Sequence, residues 1–189
     1  ETLNIDPVEL KNKITSKTKA IVVQHTFGWP AKITEIQAIA KEHNLFLIED
    51  CAHSLGSQHQ GRYCGTFGDA SFFSFGRDKV ISSIFGGIAC TNNKSLAMGI
   101  KKFQQKLRQP SYWWTQKQLL NPVLTNSIIL PLYSFWGLGK IALILLQKTQ
   151  ILPRPVSESE KQGKMPEKII RKMPDRLAIL AKHQLTKLK

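Results

Sequence analysis

Acidic residues are scarce in this 189-residue chain, with 13 Asp and Glu against 27 Lys and Arg, and the deficit is uneven. Residues 1–100 carry 10 basic and 9 acidic side chains, whereas residues 101–189 hold the other 17 and 4, a net of +13. Such a basic half suits nucleic acid, anionic lipid or a phosphorylated substrate, or it is simply a solvated face. No helix-turn-helix, zinc-finger spacing or RNA-recognition motif is visible, so we expect no nucleic-acid partner. The three cysteines, Cys51, Cys64 and Cys90, are too widely spaced for a Cys-x-x-Cys zinc pair, and an odd number argues against a closed disulfide framework. We therefore expect no metal and a reducing cytoplasm. The opening Glu1-Thr2-Leu3-Asn4-Ile5-Asp6 has neither a basic leader with an apolar run nor a methionine, which makes the chain an expected internal piece of a longer protein. There is no internal repeat. Charge is absent from Gln118 to Gly139, but Pro122 and Pro131 interrupt that run and Asn121, Thr125, Asn126 and Ser127 dilute it. A continuous membrane span is not expected there, and Ile141 to Leu146 is too short to supply one.

What is present reads as an ordinary globular α/β chain, 42% hydrophobic and 21% charged, long enough for a real core. Ala20-Ile21-Val22-Val23-Gln24 is a short, β-branched run before a turn-like Phe27-Gly28-Trp29-Pro30, which predicts a buried strand. Residues 31–43 follow with Ile33, Ile36, Ile39 and Ala40 at helical spacing, and Leu45-Phe46-Leu47-Ile48 gives a second strand running into Glu49-Asp50. Strand, helix, strand is the parallel crossover unit, and it places Asp50 at a strand's carboxyl end, where open α/β sheets hold ligands. Past a loop with Gly61, Gly65 and Gly68, residues 70–75 and 87–91 predict two more strands, and 93–107 and 175–187 predict helices. Residues 153–168 read as a basic Pro/Ser/Lys-rich connector.

The chemistry gathers on Asp50, His53, Ser74 and Lys79. One at a time they read as a strand-end cap, a core histidine, a strand serine and a solvated lysine. Together they match the needs of pyridoxal 5'-phosphate (PLP): an amine to hold the aldehyde, a carboxylate to keep the pyridine nitrogen protonated, and donors for the phenolic oxygen and the phosphate.

The segments Thr18–His25, Ile48–Gly56, Gly68–Phe75, Asp78-Lys79 and Gly86-Gly87, in that order, resemble the DegT/DnrJ/StrS-type sugar aminotransferases. The resemblance covers residues 1 to about 100 and resumes at Met173–Leu180 with Gln184-Leu185. It implies an incomplete fold-type I PLP-transferase large domain, mixed and mostly parallel, with flanking helices. It further implies a homodimer that moves an amino group from an amino acid such as glutamate to a keto group on a nucleotide-linked sugar. By motif position Lys79 is the Schiff-base lysine and proton carrier, Asp50 meets the pyridine nitrogen, His53 stands near the phenolic oxygen and Ser74 binds the phosphate. Asp69 matches a common position without a chemical role. A sugar dehydratase of the same fold, or a non-catalytic regulatory or binding homologue, are the alternatives; related dehydratases tend to carry histidine in place of the lysine.

Three departures stand out. The family's preceding phosphate loop and ring-stacking aromatic, and its smaller C-terminal domain, have no counterpart here, so this piece by itself is expected to bind PLP weakly or not at all. At Ile169-Ile170-Arg171-Lys172-Met173 the asparagine of a familiar motif is missing. We therefore divide the chain into a partial PLP-binding large domain (1–104), an apolar and basic helical insertion (105–170), and a helix leading toward a further domain (171–189). The insertion's aromatics, between 112 and 148, suggest a peripheral membrane contact, against the simpler reading of an extra helical layer.

Overall fold

A computed structural model describes residues 2–149, 151–152, 161–164 and 170–188. Most of the expected connector, and Ile169 of the altered motif, lie outside the described residues. The chain divides into two compact units, Glu1–Lys106 and Leu107–Lys189.

In the first unit Asp6 caps α1 (Pro7–Lys13), its side chain accepting the Val8 N–H at 2.8 Å with Pro7 in the first turn. Strand β1 (Ala20–Gln24), helix α2 (Ile33–Glu42) and strand β2 (Phe46–Asp50) form the expected crossover, with β1 and β2 parallel and Gln24 opposite Asp50. A hairpin of two-residue strands, β3 (Gln58–His59) and β4 (Arg62–Tyr63), turns through Gln60 and Gly61, both at positive φ. Strand β5 (Ala70–Ser74) pairs parallel to β2, β6 (Gly87–Cys90) pairs antiparallel to β5, and α3 (Lys94–Lys106) follows. The sheet order is β1-β2-β5-β6.

Side chains alternate across a sheet, so the register decides which residues share a face. Ile21, Val23, Leu47, Glu49 and Ser71 are buried on one face, and Ile21, Val23 and Leu47 join Leu10, Ile33 and Ile36 in the core. Val22, Phe46 and Phe72 point the other way and are exposed, on the face that also carries Asp50 and Ser74. A one-residue offset thus separates two very different substitutions. Leu47→Ala is expected to destabilise the chain by about 2–5 kcal/mol, and Phe46→Ala, at 61% exposure, by less than about 1 kcal/mol, as read from urea unfolding midpoints.

The second unit is helical. Ser111 caps α4 (Tyr112–Leu124), which tolerates Pro122 near its end and passes into one π turn at Thr125–Ile129. Pro122 has no N–H to give to the helical ladder, the kind of interruption with which such turns are associated. Pro131 falls at the start of α5 (Leu130–Tyr133), where its missing amide does no harm, and left-handed Trp136 and Gly137 then reverse the chain into α6 (Leu138–Lys148). The last helix is α7 (Asp175–Leu185). No helix among the described residues is long and apolar enough to cross a membrane.

Candidate active site

Asp50 ends β2 and Ser74 ends β5, so parallel pairing sets both at the carboxyl edge of the sheet, on the same face. Both are half-buried. Asp50 spends Oδ1 on the Ala52 N–H at 3.0 Å, which braces the bend leaving β2, and Ser74 Oγ accepts the Gly76 N–H at 3.3 Å. Lys79 comes back to the same place. A Cβ built on Gly76 would stand 3.2 Å from Asp78 Oδ1, 3.5 Å from Ser74 Oγ and 3.9 Å from Lys79 Cγ, so one point adjoins all three side chains.

The Lys79 side chain is only 14% exposed, and its Nζ donates to Asp78 Oδ2 at 2.9 Å. The ammonium group holds the Asp78 carboxyl below the usual carboxylate range. Among the described residues His53 Nδ1 is buried with no hydrogen-bond partner. The imidazole lies parallel to the Phe27 ring, with centroids 5.7 Å apart. Phe27 has φ 52, a conformation that costs a bulky residue energy, and its turn is tied down where Ser57 Oγ donates to the Gly28 carbonyl at 2.8 Å.

Beneath Asp50 sits a group that sequence reasoning passed over. Glu49 is fully buried; Oε1 accepts the Phe67 and Gly68 amides, each at 2.7 Å, and Oε2 accepts the Gly65 amide at 2.7 Å and His25 Nε2–H at 3.1 Å. Burial opposes charge on Glu49, but the His25 bond and the three amides outweigh it, and the carboxyl stays below its ordinary pKa. At His25 burial likewise disfavours charge, while Cys51, Cys64 and Glu49 draw a proton onto the ring. The Ala31 N–H, however, points at His25 Nδ1 from 3.1 Å, so that nitrogen has no place for a second proton. Geometry therefore selects the neutral ring with its hydrogen on Nε2.

His25, Glu49 and Cys51 bring metal-ligand atoms within 4.8 Å of one another. Four donors already occupy the lone pairs of the carboxylate and one occupies Nδ1, so a metal would have to displace them; the cluster is a brace for the loop at 65–68. Asp69 also finds a part, its Oδ2 accepting the Leu47 N–H at 2.8 Å and joining the entry to β5 to β2. Arg77, between Ser74 and Lys79, was passed over as well; it is half-buried, and burial lowers its pKa.

Comparison with known proteins points the same way. The family described as DegT/DnrJ/EryC1/StrS aminotransferases matches residues 1–121. The GDP-perosamine synthase of Escherichia coli O157:H7 is 47% identical over 96 residues, 51% of this chain and 26% of that protein. Among solved structures, the aminotransferase from Psychrobacter cryohalolentis is similar with a TM-score of 0.62 and 25% identity, over 98% of this chain and 38% of that one. An Escherichia coli GDP-4-keto-6-deoxy-D-mannose-3-dehydratase, solved with hydrated PLP, shares the fold at a TM-score of 0.61 and 20% identity, over 99% of this chain and 40% of that one. The chain spans about a quarter of the length of the curated relatives it matches. Its fold is that of the fold-type I PLP-transferase large domain, with a mostly parallel sheet and flanking helices.

Proposed function

The chain belongs to the DegT/DnrJ/EryC1/StrS aminotransferase family, and from that premise we propose that the whole protein is a PLP-dependent sugar aminotransferase. It moves an amino group from an amino acid, glutamate in the first instance, to a keto group on a nucleotide-linked sugar, in polysaccharide, lipopolysaccharide or natural-product assembly. The observation that carries this reading is the meeting of Ser74, Asp78 and Lys79 around Gly76, on the sheet face that also carries Asp50. The proposal includes a cytoplasmic homodimer, which the three free thiols and the family resemblance support. It also keeps residues 1–104 as part of the large domain, 105–170 as an insertion and 171–189 as the lead toward a further domain.

The residues present fit PLP. The set supplies a tucked-in amine, a strand-end carboxylate and a hydroxyl, and the buried, unpartnered His53 Nδ1 is the sort of polar atom that a ligand relieves. When bound, PLP supplies an aldehyde and an electron-withdrawing ring. Asp50 as a carboxylate would favour a proton on the pyridine nitrogen, since opposite charge stabilises the protonated form. Ser74 would donate to the phosphate and His53 to the phenolic oxygen. Lys79 would hold the cofactor through its amine and would carry a proton to and from the reacting carbon. To act as a nucleophile the Lys79 amine would have to give up a proton and its bond to Asp78.

Whole protein with PLP is expected to show a visible absorption band that glutamate bleaches while one equivalent of keto acid appears. A band that no amino donor alters would instead favour the dehydratase, and the absence of a band the non-catalytic homologue. Lysine at position 79, where related dehydratases tend to carry histidine, supports transamination.

A further inference from the structure

We propose that the helical hairpin at 112–148 is a docking surface for an anionic lipid bilayer, lying in the interface without crossing it. Its side chains are arranged the wrong way round for water. Within the hairpin Thr115, Gln118, Ile129 and Gly139 are buried, whereas Trp136 is 100% exposed and Trp113 is 74% exposed. On α6, Leu138, Ile141, Ile144 and Leu145 recur at helical spacing and are all exposed, so the apolar stripe faces outward. Three of the four buried positions, Thr115, Gln118 and Gly139, are small or polar while most large apolar side chains face outward, an arrangement that suits helices solvated by lipid.

Packing inside the hairpin follows the same pattern. A Cβ on Gly139 would overlap the Ile129 carbonyl oxygen and the Tyr133 backbone, so glycine is what lets α6 lie against the π turn and α5. At the tip, Phe135 and Trp136 project together, held there by left-handed Trp136 and Gly137. Aromatic rings of this kind favour the boundary between headgroups and acyl chains.

Charge identifies the occupant. No acidic residue occurs anywhere from Lys79 to Ser157, and the charged residues between 107 and 152 are Arg108, Lys117, Lys140 and Lys148. A second copy of this chain would bring like charge to this face, whereas an anionic bilayer meets both the apolar stripe and the four cations. The helices are too short or too broken to span, which leaves the interfacial mode.

The test is flotation of the whole protein, in which any further domain of its own chain is in place, with vesicles of phosphatidylcholine alone or mixed with phosphatidylglycerol. Binding to the mixed vesicles is expected, with weaker binding to the neutral ones. Phe135→Ser with Trp136→Ser should weaken it at least about tenfold, since two exposed rings no longer enter the bilayer. Lys140→Gln and Lys148→Gln should each reduce binding to the mixed vesicles about fivefold and leave the neutral ones unaffected. Brominated acyl chains should quench tryptophan fluorescence in the unmodified chain, and Trp136→Phe should reduce that quenching. Failure to float with mixed vesicles, unchanged flotation of the Phe135/Trp136 variant, or no preference for anionic lipid would each overturn the proposal. So would a dimer in light scattering that the same variant dissociates without lipid, because the face would then belong to a second copy.

Discussion

Lys79→Ala is expected to lower kcat for amino transfer by the whole protein at least about 10³-fold, because one side chain supplies both the bond to the cofactor and the mobile proton. Losing a positioned general base alone removes about 10²–10⁴-fold, and the covalent role adds to that. The decisive companion is Lys79→Arg. Arginine keeps a positive charge beside Asp78, where Nζ now sits at 2.9 Å, but it does not deprotonate in the working pH range. If Lys79 acted only as a charge that positions a ligand, arginine would restore much of the rate; in the proposed role it is as inactive as alanine. Asp78→Asn separates the partner from the chemistry: the pair is largely solvent-facing on the Asp78 side, so its loss should change the pH profile more than the maximal rate. Stability is a poor readout at this position, because an ion pair to an exposed carboxylate contributes about 0–1 kcal/mol. A Lys79→Ala protein that still exchanged amino groups at a tenth of the original rate would remove this lysine from the mechanism.

The residues at strand ends were legible in the sequence because periodicity alone locates them. Once Ala20–Gln24 and Phe46–Asp50 are strands joined by a helix, parallel pairing follows and Asp50 falls at a carboxyl edge. Ser74 falls there by the same reasoning one strand further on. Glu49 was not legible. It reads as the polar end of an apolar run, and its meaning depends on amides of Gly65, Phe67 and Gly68, sixteen to nineteen residues away in a loop that no pattern predicts. The β3–β4 hairpin escaped for want of length, since two residues are too few to show alternation. Helix α1 escaped because its only buried side chains are Pro7 and Leu10. In the second unit the apolar positions were visible, but the direction they face was not; helical spacing locates a stripe, and water-facing proteins make the inward reading the natural one.

Glu49→Gln is expected to destabilise the first unit by about 3–5 kcal/mol even though it preserves volume and removes charge from a buried place. A carboxylate accepts on both oxygens, and here both are used, Oε1 by two amides and Oε2 by the Gly65 amide and His25. A glutamine amide can replace one oxygen only. Its NH₂ must then face either the Phe67 and Gly68 amides or the Gly65 amide with His25 Nε2–H, leaving two buried donors opposed in either orientation, each at about 1–3 kcal/mol. His25 cannot relieve the clash by moving its hydrogen to Nδ1, because the Ala31 amide already occupies that nitrogen. The same network fixes the direction of the pH dependence. The folded carboxyl titrates below its ordinary 4.5, so the unfolded chain takes up the proton first on acidification. The contribution of Glu49 is complete above about pH 4.5 and is lost as pH falls through the folded value. Urea midpoints measured from neutral pH downward should therefore fall less steeply in Glu49→Gln than in the unmodified chain, the two curves approaching each other in acid. Parallel curves would mean that Glu49 is already protonated in the fold, and the brace beneath Asp50 would have to be reassigned to a neutral carboxylic acid.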